Sequence, residues 1–281
     1  MDCVVWPKAG EMTLTHVILT QTEQDALRSC AHAMADAARA AILPLFRIGI
    51  ASDNKDASGF DPVTQADRAA ETAMRAVVSQ LRPDDAILGE EFGQSSGTSG
   101  LQWVLDPIDG TRGFVSGTPT WGVLVSVRDA GGVLYGLIDQ PYIRERFEGG
   151  FGLAQMVGPL GQRAMKTAAT AELGDATILT TFPEVGTDVE GAAFHDVAAK
   201  CKLTRYGMDC YGYALVAMGH VDLVVEASLS AYDIQAPIAV VQAAGGVVTN
   251  WQGGAAHEGG RAIAAANEHI HAQALEILAK V

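Results

Sequence analysis

Between Trp121 and Gly150 the chain alternates short β-rich runs with turns; beyond Gly150 it alternates strands with helices. That change of pattern limits the available folds more than any other feature. The runs WGVLVSV, VLYGLID and RERFEGG, the first two separated by Asp129-Ala130-Gly131-Gly132, read as an antiparallel meander. After Gly150, ATILTTF, LTRY, VDLVVE, GVVTNW and AIAAA read as strands. DVEGAAFHDVAAKC, DCYGYALVAMG, YDIQAPIAVVQAAG (with Pro237 inside) and EHIHAQALEILAK read as helices between and after them. Such alternation is layered α/β. Ahead of the meander, Leu27, Cys30, Ala31, Met34, Ala38, Ala41, Ile42 and Leu45 recur at helical spacing, with Thr22-x-x-Asp25 as a capping box. A second helix is predicted from about Thr64 to Leu81, stopped by Pro83, and the runs AILGE and LQWVLD follow as strands. The expected organisation is an arm over 1–21, an α+β half over 22–153 with an antiparallel sheet, and an α/β half over 154–281. The boundary falls at GGFGLAQMVGPLG.

With 281 residues, 48% of them hydrophobic, the chain can bury a large core. Its net charge is 19 − 33 = −14. An acidic surface repels phosphate backbones, so nucleic acid is not an expected partner. An anionic small substrate would need a local cation, and a metal ion is the natural source. Cys3, Cys30, Cys201 and Cys210 are scattered, without a C-x-x-C pair, which favours reduced thiols in a cytoplasmic protein. No apolar run reaches membrane-spanning length, and MDCVVWPKAGEMTLTH has no signal-peptide core; it reads as a loose arm, or as preceding a start at Met12.

The stretch LDPIDGTRGFVSG, Leu105 to Gly117, sets two aspartates three residues apart around Pro107-Ile108. A hard cation such as Mg²⁺ takes several oxygen ligands. Asp106 and Asp109 converge on one only if the chain turns sharply between them, and Pro107 fixes one φ angle and removes an N–H. The turn can also aim the Ile108 carbonyl. Gly110 permits close backbone approach, and Gly110-Thr111 can open a helix whose N–H groups face a phosphate. The alternative is an Asx-rich turn between strands. Other acids add to the pattern: Asp61 and Asp67 flank DPVTQAD, Glu90-Glu91 ends AILGEE, Glu226 ends VDLVVE, and Asp233 begins a helix. Adjacent strand residues face opposite ways, so only one of Glu90 and Glu91 can face a given site. For Asp67 and Asp233 the competing reading is a helix N-terminal acid; for Glu226 it is a solvated strand end.

In their order, FDPVTQAD, GEE, DPIDGT and YDIQAP resemble the inositol monophosphatase family of Mg²⁺-dependent, lithium-sensitive phosphatases. The resemblance runs from about Thr22 to the C-terminus. It is greatest to the histidinol-phosphate phosphatase branch, through DPIDGTRGFVSGTPTWGVLV and the stretch from Arg205 to Pro237. Inositol-directed members tend to carry Gly-Thr-Ala near position 208 and Trp before the last aspartate, where this chain has Met208-Asp209-Cys210 and Tyr232. The resemblance implies a layered αβαβα sandwich and a homodimer. It implies that Glu90, Asp106 and the Ile108 carbonyl hold one Mg²⁺, and that Asp106, Asp109 and Asp233 hold a second, with Asp106 bridging. Glu90 also bears on a third ion. Asp67 and Thr111, with Glu90, activate the attacking water; Gly110 and Thr111 cradle the phosphate; Asp209, Glu226 and Asp233 contact the substrate. Lys55 stands near the family's loop lysine, at looser spacing.

The expected function is therefore Mg²⁺-dependent hydrolysis of a small phosphomonoester, foremost histidinol phosphate. The alternatives are an inositol, other sugar or nucleotide phosphatase of the same family and, outside it, a non-catalytic metal-binding protein. The match of Gly93 to Gly97 to G-x-S-x-G lacks the flanking strand and helix of a nucleophile elbow and reads as a linker. The seven histidines show no H-E-x-x-H spacing.

Overall fold

The computed structural model describes residues 17–48, 53–54, 62–63, 65–182, 184 and 186–281. The first sixteen residues, Asp61 and Lys55 lie outside the described residues, as does Thr64. Helix α1 (Gln21–Ile42) buries the predicted stripe of Leu27, Cys30, Ala31, Met34, Ala38 and Ile42. Its capping box is Thr20 and Glu23, not Thr22 and Asp25. Thr20 has the extended backbone that an N-cap needs, and Leu19 ahead of it packs on the same core, so the helix starts earlier than expected. Strands β1 (Asp53–Asn54) and β2 (Pro62–Val63) form a two-stranded ribbon before α2 (Gln65–Leu81).

An eight-stranded sheet follows from β3 (Ala86–Gly89), β4 (Gly93–Ser95), β5 (Gln102–Asp109), β6 (Gly122–Asp129), β7 (Gly132–Gln140), β8 (Glu145–Gly150), β9 (Leu153–Gly158) and β10 (Gly161–Ala164), in the order β10-β9-β8-β7-β6-β5-β3-β4. The short helix α3 (Thr111–Ser116) interrupts it after β5. Two readings are corrected here. Gly93 to Ser95 is not linker but the edge strand β4, paired antiparallel with β3. The first sheet also runs to Ala164, past residue 153, because Phe151-Gly152 turns β8 back into β9, which makes the glycines at 149–152 part of a hairpin.

The remainder builds a five-stranded sheet, order β12-β11-β13-β15-β14, from β11 (Thr177–Thr180), β12 (Leu203–Tyr206), β13 (Leu223–Leu229), β14 (Val247–Thr249) and β15 (Gly260–Ala265). Its helices are α4 (Asp188–Ala198), α5 (Asp209–Ala217), α6 (Ala231–Ala243) and α7 (Glu268–Leu278). Helices α1 and α2 cover the outer face of the large sheet. Helices α5 and α6 fill the space between the two sheets, and α4 and α7 cover the far face of the small one. Three apolar cores thus hold together five layers, α-β-α-β-α, the middle core spanning both faces of the α5–α6 layer, as the resemblance implied. No helix among the described residues is long and apolar enough to cross a membrane.

Candidate active site at the end of strand β5

Strand β5 is buried along seven of its eight residues, because α2 and α6 cover its two faces. Aspartates 106 and 109 differ by an odd number of positions, so a regular strand would send them to opposite faces. It is not regular. Asp106 pairs with Leu124 and Asp109 with Gly122, so three steps on β5 match two on β6. This is a β-bulge, and it falls at Pro107, which has no N–H to give the ladder. The bulge turns both carboxylates the same way. Asp233, from the third position of α6, reaches the same place, and one oxygen from each of the three acids lies within 4.8 Å of the others. Asp233 is held there by the Ser230 N–H, which donates to Oδ2 at 2.7 Å.

Asp106 is 1% exposed, and its Oδ1 has no hydrogen-bond donor among the described residues. Burial pushes its carboxyl well above the ordinary range, and Glu90, Asp109, Asp233 and Asp67 push it further. Asp109 is raised too, by burial, then Asp209 and Asp233, against the Cys210 N–H that donates to Oδ2 at 2.6 Å. A group of carboxylates that raise one another, one with a buried oxygen lacking a donor, has the oxygen-rich, anionic character a hard divalent cation requires.

The other predicted residues fall around this centre. Glu91 goes to Arg68 at 3.3 Å while Glu90 acts on Asp106. The strand expected to run through both ends at Gly89, so the turn after β3, not strand alternation, sends them different ways. The turn that carries them is fixed by the buried Glu71, whose carboxylate accepts from the N–H groups of Glu91 and Phe92. Gly89 makes room for it: a Cβ there would lie 2.0 Å from Glu71 Oε1. Asp67 is 1% exposed in the first turn of α2. Gly110 sits at the N-cap of α3 with φ 83°, a left-handed conformation that favours glycine. A Cβ on Gly110 would also stand 2.6 Å from Asp209 Cγ. Thr111 opens the helix, and its hydroxyl donates at 3.2 Å to the Ile108 carbonyl.

Asp209 and Glu226 lie on the second half's side. Asp209 Oδ2 accepts from Thr120 at 3.1 Å; burial raises its carboxyl, against Thr120 and the nearby Arg112. Glu226 is 4% exposed and accepts from Thr180 and from Thr181 N–H and hydroxyl. Burial nevertheless pushes it up to about 7. Thr120, Thr180, Thr181, Glu71 and the Cys210 N–H did not stand out in the sequence. Only Thr180-Thr181, paired hydroxyls ending an apolar strand, left a local signal.

The sequence pattern of the inositol monophosphatase family matches residues 23–281. The chloroplastic bifunctional phosphatase IMPL2 of Arabidopsis thaliana is 38% identical over 271 residues, which cover 92% of this chain and 77% of that protein. The histidinol-phosphatase of Mycobacterium tuberculosis is 35% identical over 220 residues, 76% of this chain and 83% of the relative. Among solved structures, an inositol monophosphatase from Zymomonas mobilis superposes with a TM-score of 0.81 at 36% identity, covering 93% of this chain and 100% of the other.

Proposed function

The chain belongs to the inositol monophosphatase family and is a phosphatase of that family; on that premise we propose that it hydrolyses L-histidinol phosphate, with Mg²⁺ as its metal. The observation that carries the chemistry is the convergence of Asp106, Asp109 and Asp233 beside the opening of α3. Those three, with Glu90 and the Ile108 carbonyl, would hold two to three ions. Bound there, Mg²⁺ supplies a more acidic water near neutral pH and neutralises charge on the ester oxygens. Asp67 and Thr111 orient the attacking water, and Asp67 takes up its proton. The Gly110 and Thr111 N–H groups receive a phosphate oxygen at the start of α3, where unpaired donors point outward.

Choice of substrate is a matter for the acids off the metal cluster. Histidinol carries an amine and an imidazole that protonates near neutral pH. Asp209 adjoins Gly110 and Thr120, and Glu226 is buried behind it with its carboxyl up at about 7. A cationic leaving group gives both acids the countercharge that burial withholds. An inositol ring offers only hydroxyls. The names of the relatives, which include both a histidinol-phosphatase and an inositol monophosphatase, make this the point to test.

The experiment compares kcat/KM for histidinol phosphate, inositol phosphate, fructose bisphosphate and phosphoadenosine phosphate in wild type and Asp209→Ala. Wild type is expected to favour histidinol phosphate, and the variant to lose most of that preference. A wild type that prefers inositol phosphate overturns the substrate and leaves the phosphatase chemistry standing. Lithium at fixed Mg²⁺ should inhibit, since a monovalent ion neutralises less charge. A cytoplasmic homodimer completes the proposal, its assembly read by light scattering.

A further inference from the structure

Helix α3 carries the proposed phosphate cradle at its N-terminal end, yet it has only six residues. A helix that short does not hold itself in water. Its orientation is set by what grips it. Its one buried side chain, Phe114, meets Phe46 and Trp121 with ring centroids 5.2 and 5.0 Å away. At the opposite end from the cradle, Gly117 closes the helix, and its carbonyl accepts from Arg47 Nε at 3.0 Å. Arg47 Nη1 donates to the Tyr142 hydroxyl at 2.8 Å. The guanidinium carbon also stands 4.5 Å from the Tyr142 ring centroid and 5.0 Å from that of Phe46. One exposed arginine therefore joins the end of α3 to the aromatic group beneath it and to the turn after β7.

The backbone of Arg47 makes this contact more telling. Its φ is 64°, in the left-handed region that L side chains rarely adopt. A glycine would suit that backbone better. The position holds a residue whose side chain is used and whose backbone is strained, a combination that marks a constrained site rather than a neutral surface turn.

We propose that Arg47 is a positioning residue: it clamps the C-terminal end of α3 and thereby fixes the direction in which Gly110 and Thr111 meet the phosphate. This rests on the reading of Gly110 and Thr111 given above. Arg47 is too far along the helix to be assigned contact with the ester itself, so it acts through α3.

The substitution Arg47→Gly separates the two roles, because it relieves the backbone while removing the clamp. With p-nitrophenyl phosphate at saturating Mg²⁺, kcat is expected to fall at least about tenfold, since a misplacement of about 1 Å can cost about a hundredfold. KM should change by less than about twofold, and the melting temperature should hold or rise. Added guanidinium at about 10 mM should restore part of kcat where the same concentration of NaCl does not, because the planar donor fork is what is missing. Tyr142→Phe, which removes one partner, should lower kcat less, and the double variant should lose less than the product of the two losses. Wild-type kcat in Arg47→Gly overturns the proposal. So does a loss confined to KM, which would mean that Arg47 merely attracts an anion. A loss of kcat that only follows a fall in melting temperature overturns it as well. Turnover of the ester by wild type tests the underlying reading; the ratio of variant to wild type tests the clamp.

Discussion

Two acids of the large sheet are almost equally hidden, and the protein treats them in opposite ways. Glu148, on β8, is 1% exposed and faces α1. Arg28 donates to it twice at 3.2 Å, Tyr135 and Gln155 at 2.6 Å, and His32 lies 3.2 Å away. Burial pushes its carboxyl up, but hydrogen bonds from His32, Arg28, Tyr135 and Gln155 outweigh that and hold it below the ordinary range. Asp106, on β5, is also 1% exposed. Burial pushes its carboxyl up, and the charges around it are four further carboxylates that push it the same way. Glu148 is thus completed by the fold, whereas Asp106 is completed only by something the fold takes up. A buried acid is uninformative by itself; the sign of its neighbours separates structure from chemistry.

Asp106→Asn should break this contrast most visibly. Turnover in Mg²⁺ is expected to fall about a thousandfold or more, because the charge it removes serves the metal centre directly. The chelated protein should melt at the same temperature or higher, since one repelling charge has gone. Calorimetry with and without chelator, beside a phosphatase assay, checks both; near-wild-type turnover would put Asp106 in the same class as Glu148.

The converse substitution, Glu148→Gln, should cost about 3 kcal/mol of stability, the order seen when one partner of a buried charge pair is removed. In a chain of this size that is several degrees of melting temperature. Turnover per folded molecule should survive. A variant that melts normally but has lost activity would undo the distinction.

Within the site, Thr111→Ala and Asp67→Asn are each expected to lower kcat about a hundredfold, with less effect on KM. Together they should lose less than the product, since both act on one water. Steady-state kinetics of the two single variants and the double decides it; strictly multiplicative losses would mean separate roles.

The smallest effect is one of pH on the metal-free protein. Glu226 rises from an ordinary 4.5 to about 7 on folding, and Asp106 and Asp109 are raised in the same direction. The folded chain therefore binds more protons than the unfolded one across that interval. The stability that Glu226 contributes is fully present below about 4.5 and is lost as pH rises through about 7. In chelator the melting temperature should drop by a few degrees between about pH 6 and about pH 8, and saturating Mg²⁺ should flatten the curve. A rise over that interval in chelator would show that the acids do not repel as described.

Much of the fold was legible because its signals are short-ranged. The stripe of α1, the two-residue period of the meander and the strand–helix alternation after it are each fixed within a dozen residues. Where the reading slipped, the cause lay in packing. The cap moved to Thr20 because Leu19 joins the core, and Gly93 to Ser95 became a strand because the edge of β3 was open to it. The ligand assignments themselves came from resemblance to a family, since spacing alone left Asp67, Glu226 and Asp233 as ordinary helix or strand ends.

The sequence by itself determined the condition: a strand's two-residue period sends Asp106 and Asp109 apart unless the chain turns sharply between them, and Pro107, without an N–H, is where it can. The pairing with β6 made that turn a β-bulge. Only the tertiary structure decided what they meet there. Asp233 arrives on α6 and Asp209 on α5, both helices packed between the two sheets. Their placement depends on the fit of a whole apolar layer, the sum of many weak contacts among distant residues, and no short stretch of chain encodes such a sum.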